Sequence, residues 1–166
     1  MTIYLVVPLL IAVVLVQTTI MPHLTVWGVF ANLPLLFVVS WGLIQGKKEG
    51  AVWGFVAGVA MDLFSGAPFG AATLALMAAG FLAGLGEATI IRAHFALPLV
   101  AAFLATVVYS LCFMIVVQVA GQPVFWWESF WRIVLPSAAL NAVLMPLILL
   151  PMRSLYVRFH HDEMEW

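Results

Sequence analysis

The sequence predicts an all-α fold, a polytopic membrane bundle of about six transmembrane helices. Of its 166 residues, 66% are hydrophobic and 8% are charged, whereas soluble domains carry about a quarter charged residues. The mean hydropathy is +1.18, and apolar runs that could cross a bilayer recur along the chain. The segments between these runs are short, so we expect residues 1–166 to form a single integral membrane domain.

Charge, cysteine content and motifs exclude several classes of protein. A net charge of −1 provides no basic surface, so we expect no nucleic-acid partner. The single cysteine, Cys112, excludes an internal disulfide and a cysteine-based metal site. The sequence contains no phosphate-binding loop, hydrolase elbow or zinc-protease motif. We therefore expect no enzyme activity, no cofactor and no bound metal.

Helix start and stop signals divide the apolar runs into spans. The first run has no basic leader and no clear cleavage site, which predicts an uncleaved first span. Trp27 follows as an expected interface anchor, and Asn32 and Pro34 then predict the cap and first turn of span two. The predicted spans cover residues 3–21, 33–45, 50–64, 69–86, 95–120 and 132–156.

The last two spans are separated by an aromatic-rich stretch. Gly121 and Pro123 end span five, and residues 125–131 after them predict an interfacial segment. Asn141, in the middle of span six, is expected to hydrogen-bond to a neighbouring helix, with a substrate contact as the alternative. Pro146 predicts either a kink or a freed carbonyl that a neighbour satisfies.

The most patterned stretch begins span three. Gly50, Gly54 and Gly58 repeat every four residues, and Asp62 is the next member of the series. Residues at this spacing lie close to one helix face, so the glycines form a bare ridge that another helix can approach closely. Two interpretations of Asp62 stay open: a residue at the end of a packing ridge, or a functional carboxylate inside the membrane.

The loop after this stretch predicts an antiparallel pair of helices. Gly66, Pro68 and Gly70 interrupt the helix, and a loop of about four residues makes spans three and four neighbours. We expect the glycine ridge to pack against the alanine ridge of span four. The small residues of span four are Ala75, Ala79 and Ala83 on one ridge, with Gly80 and Gly84 on another beside it.

The basic residues predict the orientation in the membrane. With the N-terminus inside, five of the six basic residues lie on the inner side, which favours cytoplasmic termini. Arg132 lies on the outer side, where it could pair with Asp62 or extend to the lipid headgroups. The inner residues are Lys47, Lys48, Arg92, Arg153 and Arg158.

These residues resemble the MreD family of rod-shape-determining membrane proteins. The central stretch is similar to the family's core pattern of glycines, Asp-Leu and Ser-Gly, and Ala31 departs from the family, which more often has proline there. The matching residues are Gln17, then Asn32-Leu33-Pro34, then Gly54-Phe55, Gly58, Asp62-Leu63-Phe64-Ser65-Gly66, Pro68 and Gly70, and finally Asn141 and Pro146.

The resemblance implies a non-catalytic subunit of the bacterial cell-elongation complex in the cytoplasmic (inner) membrane, which supports peptidoglycan synthesis and cell shape. Family members bind the bitopic protein MreC and work with the glycosyltransferase RodA, a class B penicillin-binding protein and actin-like MreB. The family bundle is also similar to the S components of energy-coupling-factor transporters. A vitamin-binding S-component-like subunit, with Asp62 and Arg132 as candidate ligands, is the alternative. Passage of a lipid-linked precursor is a third possibility, and a homodimer stays open.

On the scaffold interpretation, the outer face of the bundle captures MreC. Exposed aromatic side chains are efficient anchors for such a contact. The candidate partner-binding residues are Asp62, Ser65, Trp126, Trp127, Trp131 and Arg132.

Overall fold

The computed structural model describes residues 2–25, 28–86 and 96–160, which form helices and no strand, so the all-α prediction is confirmed. Trp27 and Arg92, expected at an interface and in an inner loop, lie outside the described residues. We number the helices in chain order. They are α1 (Thr2–Thr19), α2 (Leu33–Gln45), α3 (Lys47–Ser65), α4 (Ala71–Gly84), α5 (Ala96–Val119) and α6, a continuous segment made of Trp126–Ser129, Phe130–Val134 and Leu135–His160.

Among the described residues, three helical segments are long and apolar enough to cross a membrane: Val6–His23, Ala96–Val119 and Trp126–Arg158. Their outward sides carry exposed aliphatic side chains such as Leu104 and Val143, the surface expected of a protein whose solvent is lipid. α2 and α4 are shorter, with 13 and 14 residues. The backbone N–H and C=O groups at the ends of these two helices therefore need hydrogen-bond partners from neighbouring segments.

The starts of α3 and α4 differ from the predicted spans. α3 begins at Lys47 rather than at Gly50, so the lysine pair forms its first turn. α4 begins at Ala71 rather than at Phe69, because the chain needs the residues before it to reverse direction.

α2 is the centre of the bundle. All ten residues from Pro34 to Leu43 are buried, and α2 contacts each of the other five helices. A helix that is apolar on every side is typical of such a core position. Near its end, the Trp41 ring stacks on Phe37 and meets Trp53 edge-on, with ring centroids 6.1 Å apart in both pairs.

Glycines bring the backbones of α2, α3 and α4 into direct contact. A Cβ atom at Gly54 would overlap the Leu76 carbonyl of α4, and one at Gly50 would overlap the backbone of Gly80. Gly42 brings α2 to the same place, since a Cβ atom there would lie 2.8 Å from the Gly80 carbonyl oxygen. Three helices thus meet where no side chain separates them, as small residues allow in membranes.

The contact uses a different face of α4 from the one expected. Gly58 meets Thr73 at one end of the contact, and Gly84 meets Lys47 at the other. The alanine ridge lies about 100° around the helix from this line, and it is buried within the bundle instead. Two ridges of small residues lie side by side in α4, and the ridge with glycines allows the closer approach. The three alanines are Ala75, Ala79 and Ala83.

The aromatic residues expected to form an interfacial segment are the first turns of α6, which begins at Trp126. Here the Leu135 N–H donates to the Phe130 carbonyl, a bond of the π-helical kind. Pro136 explains the wider turn, since it has no N–H to donate to the turn before it. Pro146 lies half-buried within the same continuous helix.

We expect Gly54→Ala to destabilise the bundle, although alanine is the better helix former by about 1 kcal/mol. The added methyl group would overlap the Leu76 carbonyl, and such overpacking costs about 1–3 kcal/mol. The measurement is the melting temperature of the purified protein in detergent. Val52→Ala, on the exposed side of the same helix, is the control and should melt close to the wild type. A Gly54→Ala variant as stable as the wild type would contradict the packing.

Candidate functional site

A buried carboxylate of α3 lies against the start of α4. Asp62, in the last turn of α3, is 5% exposed. Its Oδ2 accepts hydrogen bonds from the Gly70 N–H at 2.9 Å, the Thr73 N–H at 3.0 Å and the Thr73 hydroxyl at 2.6 Å. Its Oδ1 accepts from the Ala72 N–H at 2.9 Å. The first N–H groups of a helix lack partners within it, and a carboxylate there also complements the helix dipole. Asp62 is therefore a cap for the helix that follows it.

The loop between α3 and α4 returns the chain to this carboxylate. Gly66 (φ +64°) ends α3 and Gly70 (φ +98°) precedes α4, and glycine adopts these left-handed conformations without strain. The exposed Ser65 hydroxyl accepts from the N–H two residues later at 3.4 Å. The Pro68 carbonyl accepts from the first N–H of α4 at 3.1 Å. Each residue of the predicted loop motif thus contributes to the reversal that places Asp62 at the start of α4.

A second set of side chains caps the start of α2, and two of these side chains come from helices that are distant in the sequence. The Asn32 side chain accepts from the Leu35 N–H at 3.1 Å, as the sequence predicts for an N-cap. The Leu33 N–H donates to Gln17 Oε1 at 2.8 Å, and the Asn32 N–H donates to Asn141 Oδ1 at 3.0 Å. Because Gln17 is on α1 and Asn141 is on α6, both helices complete the start of α2.

The network continues into α5. The Asn141 amide donates to the Thr106 hydroxyl oxygen at 3.2 Å, and that hydroxyl donates to the Ala102 carbonyl at 2.7 Å. The Tyr109 phenol faces the Asn32 side chain. Both ends of the Asn141 amide are therefore engaged between helices, as expected of a helix-packing residue.

The start of α2 lies deep in the bundle. It is level with Thr106, and α5 rises about 20 Å from there to Val119 at 1.5 Å per residue. α6 covers a similar distance of about 20 Å between Trp126 and Asn141. α5 and α6 thus extend well past α2. Water does not reach backbone groups at such a depth in lipid, so buried side chains must satisfy them.

A cavity of about 600 Å³ lies beyond the start of α2; α5 and α6 form most of its wall, and Met61 and Ser65 of α3 and Ala72 of α4 also line it. We call it the α5–α6 cavity. The capping side chains Gln17, Asn32 and Asn141 line its floor, and residues 28–30 and 123–125 line its rim. None of the described residues that line it is charged, and neither Asp62 nor Arg132 is among them.

The first turns of α6 present an exposed aromatic patch. Trp127 and Trp131, which we call the tryptophan surface, are 79% and 54% exposed, and their rings meet edge-on with centroids 5.8 Å apart. The Trp126 indole N–H donates to Gln118 Oε1 at 2.7 Å. Trp126 thus ties the start of α6 to the end of α5, while the other two indoles face outward.

The hypothesis of an Asp62–Arg132 pair is wrong. Arg132 Nη1 lies 3.0 Å from Glu128 Oε1, one turn earlier on α6, and both side chains are mostly exposed. Asp62 instead directs both oxygens to the start of α4. A surface ion pair at this spacing contributes about 0.5 kcal/mol or less, so the Glu128–Arg132 pair orients two side chains rather than holding the bundle together.

A family model for the rod shape-determining protein MreD matches residues 1–159 of the 166-residue chain. The chain belongs to the MreD family. No curated protein and no solved structure matches the chain significantly. Membership of a rod-shape-determining MreD family agrees with a membrane protein whose buried polar groups serve its architecture.

The polar residues on which the MreD resemblance rests are the helix caps. Gln17, Asn32 and Asn141 surround the start of α2, and Asp62 holds the start of α4. In each case the side-chain oxygens accept hydrogen bonds from backbone N–H groups. These four polar residues of the MreD pattern therefore have a structural role, because they hydrogen-bond to the N–H groups at the starts of α2 and α4.

Sequence reasoning missed three polar residues of this end of the bundle. Thr73 follows a Gly-Pro loop in the first turn of a helix, a position at which a hydroxyl signals a cap. Gln118 stands eight residues before Trp126 across a Gly-Pro turn, and this spacing is typical of a hairpin contact. Thr106 is a single polar residue in an apolar run, and its partner Asn141 is 35 positions away, so no local signal indicated it.

We expect Asp62→Asn to lower the melting temperature of the protein in detergent by about 5–10 °C. An amide keeps one acceptor oxygen but turns an NH₂ group toward the N–H groups of α4, and each buried donor left unpaired costs about 1–3 kcal/mol. Glu49→Gln removes an exposed acid from the first turn of the same helix and is the control, with little change expected. Equal melting of Asp62→Asn and wild type would show that the carboxylate is not a cap.

We also expect the caps of α2 to be coupled. Gln17→Ala and Asn141→Ala should each destabilise the protein by about 1 kcal/mol, within the range measured for hydrogen bonds inside membranes. The double variant should deviate from additivity, because both residues hold the same helix start. Gln118→Ala, at the exposed α5–α6 turn, provides the control and should add independently to either variant. Strict additivity of the Gln17 and Asn141 variants would contradict the shared role.

Proposed function

We propose that the chain is a non-catalytic scaffold subunit of the bacterial cell-elongation complex and that it binds MreC, a bitopic membrane protein. Membership of the MreD family supports the role in rod shape. The observation that carries the partner proposal is the tryptophan surface, where Trp127 and Trp131 are exposed side by side. Large exposed aromatic side chains at one end of a bundle are the usual anchors of a protein contact.

The tryptophan surface is held in place before any partner arrives. Trp126 is fixed by its bond to Gln118, and Trp127 and Trp131 contact each other across one helical turn. Ordered side chains lose little conformational entropy when they bind. The flanking Glu128–Arg132 pair is exposed and supplies a polar rim, so the patch combines an apolar centre with charged edges, as protein interfaces do.

The distribution of charge supports an orientation with both termini in the cytoplasm and six passes through the inner membrane. Lys47 lies at the end of the bundle opposite to Asp62, since it contacts Gly84 at the far end of α4. Arg153 and Arg158 lie in the last turns of α6, toward that same end. This orientation places the tryptophan surface on the outer side, where it would support peptidoglycan synthesis by RodA and the class B penicillin-binding protein while MreB acts from the cytoplasm.

A vitamin-binding subunit resembling the S components of energy-coupling-factor transporters is the second candidate, and the α5–α6 cavity is the observation that favours it. The chemistry of that cavity argues against a hydrophilic vitamin. Asp62 and Arg132, the candidate ligands, do not line it and are already engaged elsewhere. The scaffold is therefore the function that we propose.

The test is co-expression with tagged MreC from the same organism, followed by purification in mild detergent and determination of the mass of the complex. We expect a complex of fixed stoichiometry. Purification of the chain without MreC, but with a pair of ATPases or a bound vitamin, would support the transporter subunit instead.

We expect Trp127→Ala with Trp131→Ala to weaken the MreC complex by about thirtyfold, the change in affinity that corresponds to the loss of about 2 kcal/mol at a central anchor. Phe55→Ala with Phe81→Ala removes two exposed aromatic rings elsewhere on the bundle and is the matched control. The measurement is the amount of MreC retained per bundle over a series of dilutions. Equal retention by both double variants would exclude the tryptophan surface as the binding site.

A further inference from the structure

The α5–α6 cavity lies inside the part of the molecule that crosses the membrane. Its floor is the start of α2, about 20 Å below the ends of the two flanking helices. Its volume of about 600 Å³ lies in the range of sites that hold small molecules, about 300–1,000 Å³. If the cavity were empty, the side chains that line it would lose van der Waals contacts on one side, which favours an occupant.

The walls favour an apolar, uncharged occupant. Phe113, Met114, Val117 and Ile133 line the cavity, and most of its lining surface is apolar. At the floor, the side-chain oxygens of Gln17 and Asn141 already accept from backbone N–H groups, and the Asn141 amide donates to Thr106. An occupant therefore has no charged side chain to neutralise among the described residues that line the cavity.

Two serines line the cavity from its two flanking helices. Ser110 on α5 and Ser137 on α6 line the cavity, and neither hydroxyl has a hydrogen-bond partner among the residues that the structure describes. Larger side chains at these two positions would fill the room between the helices. A larger side chain at either position would occupy part of the cavity without replacing a capping residue.

A second, shallower cavity of about 230 Å³ is lined by residues of α5 and of the first turns of α6, and Met114 lines both cavities. Trp127, which also lines the second cavity, is 79% exposed. The two cavities are thus neighbours on either side of Met114, and apolar residues of α5 and α6 line the outer one.

We propose that the α5–α6 cavity binds the acyl chain of a membrane phospholipid, which enters laterally between α5 and α6. Acyl chains match the uncharged walls and surround the bundle in the membrane. A phospholipid seated there keeps its headgroup near the first turns of α6, where Ser129 lines the cavity and Arg132 is exposed. The bound acyl chain fills the space that α2, because it is short, leaves empty between α5 and α6.

The test is native mass spectrometry of the purified, delipidated protein after incubation with phosphatidylglycerol in detergent, without MreC. We expect the wild type to retain one phospholipid and Ser110→Phe to retain about tenfold less, a loss of about 1.4 kcal/mol in affinity. Ser137→Leu is a milder filling substitution and should also reduce retention. Ser154→Phe, on the exposed side of α6, is the matched control and should retain the lipid. Melting temperatures confirm that each variant is folded.

Several results would overturn the proposal. They are a wild type that retains no phospholipid, equal retention by the filled and control variants, or recovery of an isoprenoid lipid rather than a phospholipid from cell membranes. Unchanged lipid retention with loss of MreC capture in Ser110→Phe would assign the cavity to a partner side chain. Because the lipid measurement omits MreC, its failure would leave the scaffold proposal untouched.

Discussion

The structure depends on the hydrogen bonding of two helix starts that lie inside the bundle. A helix leaves its first N–H groups without internal partners, and a lipid-filled membrane offers no water to replace them. Asp62 satisfies the start of α4, and Gln17 and Asn141 help to satisfy the start of α2. Short central helices are possible only because these side chains reach them, and the space above α2 follows from that shortness.

The glycine contacts and the caps support one another. Asp has a short side chain, so its carboxylate reaches the start of α4 only if α3 and α4 approach closely. Gly54 and Gly58 permit that approach because no side chain separates the two backbones. The resulting rigid core leaves α5 and α6 to extend beyond it and to carry the α5–α6 cavity and the tryptophan surface. Architecture and the proposed binding surfaces thus arise from the same small set of residues.

Local sequence signals predicted the local features of the fold. The Asn32 cap, the glycine spacing in α3 and the loop before α4 each depend on residues a few positions apart. The sequence could not indicate the bonds from Asn141 to Asn32 and to Thr106, because the partners are far apart in the chain. The sequence also could not indicate which of two adjacent ridges of α4 contacts α3, because hydrophobicity is nearly the same on every face of an apolar helix. The cavity escaped prediction for the same reason.

The sequence distance between a cap and its helix has a consequence for biogenesis. Asp62 binds N–H groups that lie eight to 11 positions later, so α4 can be completed as soon as it is synthesised. The Asn32 N–H must wait for Asn141, which is 109 positions later. Contacts that are local in sequence form early, and distant ones form late. The α3–α4 pair is thus the natural first unit of assembly, and the arrival of the last helix from the ribosome closes the centre of the bundle.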